Sequence, residues 1–121
     1  MRFQDLLAYK KSFALAMKIF EISKSFPKEE RYSLTDQIRR SSRSVSANIA
    51  ESYAKRLYPK YFINKLTDSD AENLETQVWM EYAMECRYIS KEIFDEMVSE
   101  SQEIGKLIYF MINNPDKFGS K

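Results

Sequence analysis

The chain of 121 residues is long enough for one domain with a single hydrophobic core, and its 44% apolar and 31% charged residues are typical of a globular protein. Two Gly and three Pro are too few for a turn-rich all-β domain, and the lack of histidine excludes an imidazole base, a histidine metal ligand and a histidine pH switch. The net charge of +1 hides an uneven distribution, because residues 31–60 carry seven basic and two acidic side chains whereas residues 61–100 carry three and ten.

The spacing of apolar residues and the positions of helix breakers predict four helices in chain order. The first ends before Pro27, because the residue preceding a proline avoids the α region. The second begins at a capping box formed by Ser33 and Asp36, the third begins at Pro59, and the fourth has Ser90 as its N-cap. The predicted helices cover residues 4–25, 33–56, 59–87 and 90–112, with a fraying tail at 113–121, within one domain over 1–121. Four amphipathic helices with short links predict an all-α fold, an antiparallel up-down-up-down four-helix bundle.

The outer faces of these helices carry more apolar surface than one bundle of this size can cover. The second helix has alanines opposite its core face, and the third helix is apolar on several sides. Helix propensity alone is the alternative explanation for the alanines. We therefore expect copies of the chain to associate. The predicted interface residues are Ala47, Ala50, Ala54, Tyr61, Trp79 and Tyr82.

Polar side chains interrupt the inward faces of the second and third helices. Because buried polar groups need partners, we expect hydrogen bonds between helices that fix their register, and a ligand pocket is the alternative interpretation. The polar residues on or beside these faces are Ser41, Ser44, Asn48, Ser69, Asn73 and Thr76. The predicted structural polar network comprises Arg40, Asn48, Glu51, Asn73 and Glu75, with Arg40 expected to pair with Glu72 or Glu75 of the third helix.

The other basic residues of the second helix and its following turn are candidates for contact with an anionic partner. A planar guanidinium can clamp a phosphate, so we predict RNA backbone contacts from Arg39, Arg43, Lys55 and Arg56. The alternative is that the basic second helix pairs with the acidic third helix inside one bundle. Charge alone favours that alternative, because the domain as a whole is not basic.

The sequence offers little catalytic chemistry. The pair Glu72-x-x-Glu75 has no histidine to complete a carboxylate di-metal site, two glycines cannot form a phosphate-binding loop, and Cys86 has no histidine to activate it. We expect no enzymatic activity, no metal and no cofactor. A single cysteine, a charged N-terminal stretch and a longest apolar run of six residues at 107–112 favour a cytoplasmic protein without a signal peptide or membrane segment.

One block, at residues 26–56, reads FPKEERYSLTDQIRRSSRSVSANIAESYAKR. Its recognisable elements, with two later ones, are Phe26-Pro27-x-Glu29, Gln37-Ile38-Arg39-Arg40, Ser44-Val45, Asn48-Ile49-Ala50-Glu51, Leu74-Glu75-Thr76-Gln77 and Tyr88-Ile89-Ser90. The sequence thereby closely resembles the S23-type four-helix-bundle family, whose members are encoded in intervening sequences of bacterial 23S ribosomal RNA genes and elsewhere in bacterial genomes. It departs from the family pattern at Ser52, where glycine is usual, at Tyr9, where tryptophan is common, and at Asn73, where an acidic residue is common.

The resemblance implies a bundle that assembles as a ring-like homo-oligomer, typically a homopentamer. A related branch, the accessory proteins of diversity-generating retroelements, works with a reverse transcriptase and its RNA. We therefore expect a non-enzymatic oligomer that binds RNA or a ribonucleoprotein through the basic surface of the second helix. A protein-interaction scaffold without nucleic acid is the alternative. The resemblance assigns no role to Arg39, Arg40 or Glu51.

Overall fold

The computed structural model describes residues 1–120 and contains four α-helices joined by short turns. Their bounds are Leu7–Ser23 for α1, Leu34–Ala54 for α2, Pro59–Glu85 for α3 and Lys91–Asn113 for α4. Short 3-10 turns occupy Phe3–Asp5, Lys28–Glu30 and Pro115–Phe118. No strand occurs in the described part of the chain, so the all-α prediction with four helices is confirmed.

Two terminal segments differ from the predicted bounds. The first predicted helix begins at residue 4, but a 3-10 turn lies there and α1 begins only at Leu7. The tail that was expected to fray instead forms a turn in which the Ser120 N–H donates a 3.0 Å hydrogen bond to the Pro115 carbonyl. Residue Lys121 lies outside the described residues.

Each helix of the bundle packs against two others. Both α1 and α3 contact α2 and α4. Between α2 and α3, Ser69 Oγ donates a 2.8 Å hydrogen bond to the Val45 carbonyl, and Lys65 Nζ lies 3.3 Å from a carboxylate oxygen of Glu51. Between α1 and α4, Lys18 pairs with two glutamates of α4. The four inward faces therefore meet along one common axis.

The hydrophobic core lies along this axis and takes large side chains from all four helices. Full burial of one such side chain contributes about 1.5–3 kcal/mol to stability. The largest fully buried apolar side chains are Ile19, Ile38, Ile49, Phe62, Leu66, Met80, Met97, Ile104 and Ile108. Among residues 1–120, none of the helices combines the length and the apolar character needed to cross a bilayer.

The start of α2 is capped differently from the prediction. The expected capping box of Ser33 and Asp36 is wrong, because Ser33 makes no side-chain bond to the helix N-terminus. Instead its hydroxyl donates a 2.6 Å bond to Oε1 of Glu30, and the Leu34 N–H donates to the same oxygen at 3.3 Å. The predicted N-cap of α4 is confirmed, since Ser90 Oγ accepts a 3.2 Å bond from a backbone N–H in the first turn.

Candidate nucleic-acid interface

A layer of buried polar side chains crosses the middle of the bundle. Asn73 Nδ2 donates a 2.9 Å bond to the Ser101 carbonyl, and Ser101 Oγ donates a 2.8 Å bond to Asn73 Oδ1. Gln77 Nε2 donates to Ser101 Oγ at 2.9 Å, and the hydroxyl oxygens of Ser41 and Thr76 lie 2.9 Å apart. The predicted hydrogen bonds between helices are thus present, and they fix the register of α3 against both α2 and α4.

Arg40 does not take the partner predicted for it. Its Nε lies 3.1 Å from Oδ2 of Asp36 in the preceding turn of α2, so it pairs within its own helix and not with Glu72 or Glu75. Its side chain is 74% exposed, on the outer side of α2. The local pair needs no particular register between helices, and an exposed pair of this spacing contributes only about 0.3–0.5 kcal/mol.

The remaining predicted network residues are placed as follows. Asn48 Nδ2 donates a 2.9 Å bond to the Ser44 carbonyl one turn earlier in α2, so it stabilises its own helix. Glu51 joins α2 to α3 through its ion pair with Lys65. Glu75 is exposed on α3, and within residues 1–120 it has no cationic nitrogen within 4.0 Å. Only Asn73 belongs to the central polar layer.

Acidic side chains follow one another at helical spacing along α3. They are Asp68, Glu72 and Glu75. Partial burial raises the pKa of Glu72, and repulsion from the neighbouring carboxylates of Glu75 and Asp68 raises it further. This acidic stripe repels phosphate groups, so an anionic partner is expected to approach the bundle elsewhere.

Two of the predicted contact residues gather around one aromatic ring of α1. The guanidinium carbons of Arg39 and Arg43 lie 4.9 and 5.7 Å from the centroid of the Phe20 ring. Arg39 is half-buried, and its Nε donates a 2.8 Å bond to Ser23 Oγ. Arg39 therefore ties α2 to α1, whereas Arg43 is exposed and keeps its donors available to a ligand.

The other two predicted contact residues lie at the far end of α2. Lys55 Nζ is 5.6 Å from the centroid of the Tyr61 ring, and the Arg56 guanidinium carbon is 4.1 Å from that of Tyr53. Arg56 Nη1 also donates a 2.8 Å bond to the Tyr53 carbonyl. Because Lys55 follows Arg43 by twelve residues, the nearest members of the two groups are about 18 Å apart along the helix axis. The four predicted residues therefore form two basic clusters and not one.

Sequence reasoning missed part of the second cluster. Lys60 is exposed just after the α2–α3 turn, and Lys117 lies with its Nζ 5.3 Å from the centroid of the Phe110 ring. Arg56 connects the α2–α3 turn with the C-terminal turn. Its side chain lies against Gly119, where an added Cβ would be only 3.3 Å from Arg56 Cδ. We call the surface formed by Lys55, Arg56, Lys60 and Lys117 the basic end of the bundle. The run KRLYPKY at 55–61, with three basic residues and two tyrosines, is the sequence signal for the part formed by α2 and α3.

The six residues predicted to form the subunit interface all lie on the bundle surface, but they differ in exposure. Ala47, Ala54, Tyr61 and Tyr82 are exposed, and Ala50 and Trp79 are half-buried. The rings of Trp79 and Tyr82 lie 5.8 Å apart, beside an open groove of about 300–400 Å³. Two side chains of α1, Phe13 and Met17, add exposed apolar surface that was not among the predicted interface residues.

Four packed helices, a buried polar layer and a basic end define an all-α bundle protein with a candidate anion-binding surface. The sequence model of the 23S rRNA-intervening sequence protein family matches residues 4–110, and the chain belongs to this family. The resemblance to the S23-type family is thereby confirmed.

A solved structure supports the same assignment. It is a protein with unknown function from the S23 ribosomal protein family of Bacteroides thetaiotaomicron, 31% identical in sequence with a TM-score of 0.80. The similarity covers 91% of this chain and 98% of that chain. Among curated proteins there is no significant match.

Proposed function

We propose that this protein is a non-enzymatic, oligomeric four-helix-bundle protein that binds RNA or a ribonucleoprotein through the basic surface of α2. The observation that supports it best is the basic end, where Lys55, Arg56, Lys60 and Lys117 are brought together by α2, α3 and the C-terminal turn. Within residues 1–120, none of these four cations has a carboxylate oxygen within 4.0 Å. Their charge is therefore available to an external anion.

Exposed Arg43 provides a second point of attachment on the same helix. The acidic stripe on α3 supports a directed approach, because it disfavours phosphates along the middle of that helix. Arg39 acts indirectly, since its bonds to α1 and its contact with Phe20 position this part of α2. Without histidine the chain has no imidazole base and no histidine metal ligand, which favours a non-enzymatic role. The single cysteine favours the cytoplasm as the place of action.

The proposal includes a particular topology and assembly. An antiparallel up-down-up-down arrangement is supported by the contacts between α2 and α3, where Val45 meets Ser69 and the later Glu51 meets the earlier Lys65. Exposed Phe13 and surface alanines on α2 support association of copies into a ring, for which the family resemblance suggests five subunits. Light scattering at micromolar concentration is expected to give about five times the mass of the chain, and a monomer mass would contradict the assembly.

RNA binding is tested by filter binding to a structured ribosomal RNA fragment across a range of salt concentrations. Affinity is expected to fall steeply as salt rises, because phosphate contacts release bound counterions. The double variant Arg43→Ala with Lys55→Ala removes two exposed cations and is expected to reduce the salt dependence by about two counterions. The matched control, Lys28→Ala with Lys106→Ala, removes two exposed lysines that lie neither at the basic end nor over the Phe20 ring and that, within residues 1–120, have no carboxylate oxygen within 4.0 Å. Absent binding, flat salt dependence or equal loss in both double variants would contradict the proposal.

A protein-interaction scaffold is the second candidate function, and the exposed aromatic groove favours it. Tyr32 is 84% exposed and lines this groove with Trp79 and Tyr82. Exposed aromatic side chains in a concave site are typical of protein contacts. A bound protein that survives nuclease and high salt, and that is lost in Tyr82→Ala, would favour this candidate over RNA binding.

A further inference from the structure

We propose that the basic end binds single-stranded RNA by stacking unpaired bases on Tyr58 and Tyr61, an inference that rests on the proposed RNA-binding function. Both rings are exposed, at 63% and 55%. Their centroids are 6.3 Å apart and their planes meet at 78°, so the two rings do not stack on each other. In such an edge-to-face pair one ring covers at most one face of the other, and the remaining faces can accept a flat ligand.

The main chain of the α2–α3 turn does not require a tyrosine at position 58. The α2–α3 turn is closed by main-chain bonds, in which the Tyr58 N–H donates to the Lys55 carbonyl at 2.9 Å and the Phe62 N–H donates to the Tyr58 carbonyl at 3.0 Å. Pro59 begins α3 at a position that suits proline. Any residue except proline could supply the Tyr58 main-chain groups, so its exposed ring contributes little to this turn.

Cations accompany the two rings in the way that single-strand binding requires. Lys55 Nζ lies 5.6 Å from the Tyr61 centroid, and Lys60 is the adjacent residue. Proteins that bind single strands combine aromatic rings, which stack with bases, with positive side chains that follow the phosphates. Stacking on one ring is worth about 1–3 kcal/mol per base. Lys55 can therefore hold the phosphate beside a base stacked on Tyr61.

A second pair of this kind extends the path across the basic end. Lys117 lies over Phe110, and Arg56 contacts the C-terminal turn that carries Lys117. Cations thus continue from the α2–α3 turn towards the end of α4. A paired RNA helix hides its base faces and presents only backbone and groove edges, so exposed rings add nothing to duplex binding. The geometry therefore points to an unpaired loop or strand as the RNA element.

The experiment uses the full chain and a fluorescent ten-nucleotide oligouridine, compared with an RNA duplex of the same length, with binding measured by anisotropy at several salt concentrations. Tyr58→Ala with Tyr61→Ala is expected to weaken oligouridine binding at least about 10-fold, with the salt dependence unchanged because no cation is removed. Tyr58→Phe with Tyr61→Phe keeps the rings and is expected to retain affinity. Tyr32→Ala with Tyr109→Ala removes two exposed tyrosines from other surfaces and is the matched control.

Each other result has a distinct meaning. If salt-dependent RNA binding is the same in wild type and in the Tyr58/Tyr61 alanine variant, this inference is overturned and the proposed function stands. Equal affinity for the duplex and the single strand has the same meaning. No salt-dependent binding to any RNA overturns both. A change of oligomeric mass in the alanine variant, or tyrosine-dependent binding to phosphatidylserine vesicles, assigns the rings to subunit or membrane contact and also overturns the inference.

Discussion

The hydroxyl of Tyr88 donates a 2.8 Å hydrogen bond to Oε2 of Glu30 and so joins the α3–α4 turn to the start of α2. The other carboxylate oxygen of Glu30 accepts from Ser33 and from the Leu34 N–H. Hydrogen bonds from Ser33 and Tyr88 lower the pKa of Glu30, because they stabilise its ionised form. The same carboxylate raises the pKa of Tyr88 to about 12.

Glu30→Gln is therefore expected to destabilise the fold at neutral pH. The folded pKa lies below the ordinary value of about 4.3, so the stability that Glu30 adds is present above that value and is lost as pH falls through the folded pKa. We expect a loss of about 0.5–1 kcal/mol at pH 7, typical of a helix cap, that shrinks in strongly acidic solution. Urea unfolding at pH 7 and pH 3 measures it. Exposed Glu29→Gln is the control, and an equal loss there would contradict the capping role.

Glu72→Gln, unlike Glu30→Gln, is expected to stabilise the fold at neutral pH. Burial raises the folded pKa of Glu72 above its unfolded value, so ionisation of Glu72 costs stability at neutral pH, and this cost disappears as pH falls below the unfolded pKa. The variant is expected to gain up to about 0.5 kcal/mol at pH 7, after allowance for solvent screening, and nothing below about pH 4. Thermal unfolding across this pH range provides the measurement. Exposed Glu81→Gln on the same helix is expected to change little, and a loss of stability in Glu72→Gln would refute the argument.

Asn73→Leu is expected to cost about 1–3 kcal/mol of unfolding free energy, because it leaves the buried Ser101 hydroxyl without its acceptor. Adding Ser101→Ala removes that stranded hydroxyl and is expected to restore part of the loss. Chemical denaturation of both variants tests this coupling. Leu74→Ala changes the exposed neighbour and is expected to stay within about 0.5 kcal/mol of wild type. Strictly additive losses in the double variant would count against the hydrogen-bonded pair.

The two glycines are expected to respond oppositely to alanine. A Cβ at Gly105 would lie 3.5 Å from Asn73 Nδ2 and 3.9 Å from Asp70 Oδ1, which is ordinary contact, so Gly105→Ala is expected to add about 0.5–1 kcal/mol by favouring the helix. Gly119 has a φ of 84°, which strains any L side chain, so Gly119→Ala is expected to destabilise. The melting temperatures of the two variants test this. A melting temperature of Gly105→Ala below that of wild type would show that the α3–α4 groove cannot accept a methyl group.

The helices and the polar layer could be predicted because both follow from local periodicity. Asn73 and Thr76 fall on the inward face of α3, where burial obliges them to find partners. The identity of those partners could not be predicted. Ser101 becomes the partner of Asn73 only through the register of α4 against α3, which no local pattern encodes.

The errors in the predicted polar contacts have a common physical origin. Arg40 had one candidate partner in its own helix and others across the bundle, and the near one, Asp36, needs no tertiary register. Ser33 has the sequence of a cap, but the Glu30 carboxylate, held by Tyr88, accepts from the Ser33 hydroxyl and from the Leu34 N–H at the helix start. Whether a polar side chain bonds to a partner in its own helix or to one in another element depends on distances in the folded structure, which the sequence does not give.

The candidate interface was predicted in its residue types but not in its layout. The prediction rests on side-chain type: Arg43 and Lys55 are both candidate phosphate contacts, although they lie on different flanks of α2 and far apart along it. The tyrosines at 58 and 61 are signalled by the run at 55–61, which contains three basic residues and two tyrosines. Their joint exposure became visible only with the geometry of the α2–α3 turn.

Under the proposed RNA-binding function, the spacing of the two basic clusters sets the length of ligand that can contact both. Arg43 and Lys55, twelve residues apart, stand about 18 Å from each other along the axis. A ligand shorter than this interval engages one cation, whereas a longer one gains the second at high effective concentration. Affinity is therefore expected to rise in a step once an oligonucleotide is long enough to bridge the gap, so that chain length becomes a basis of discrimination.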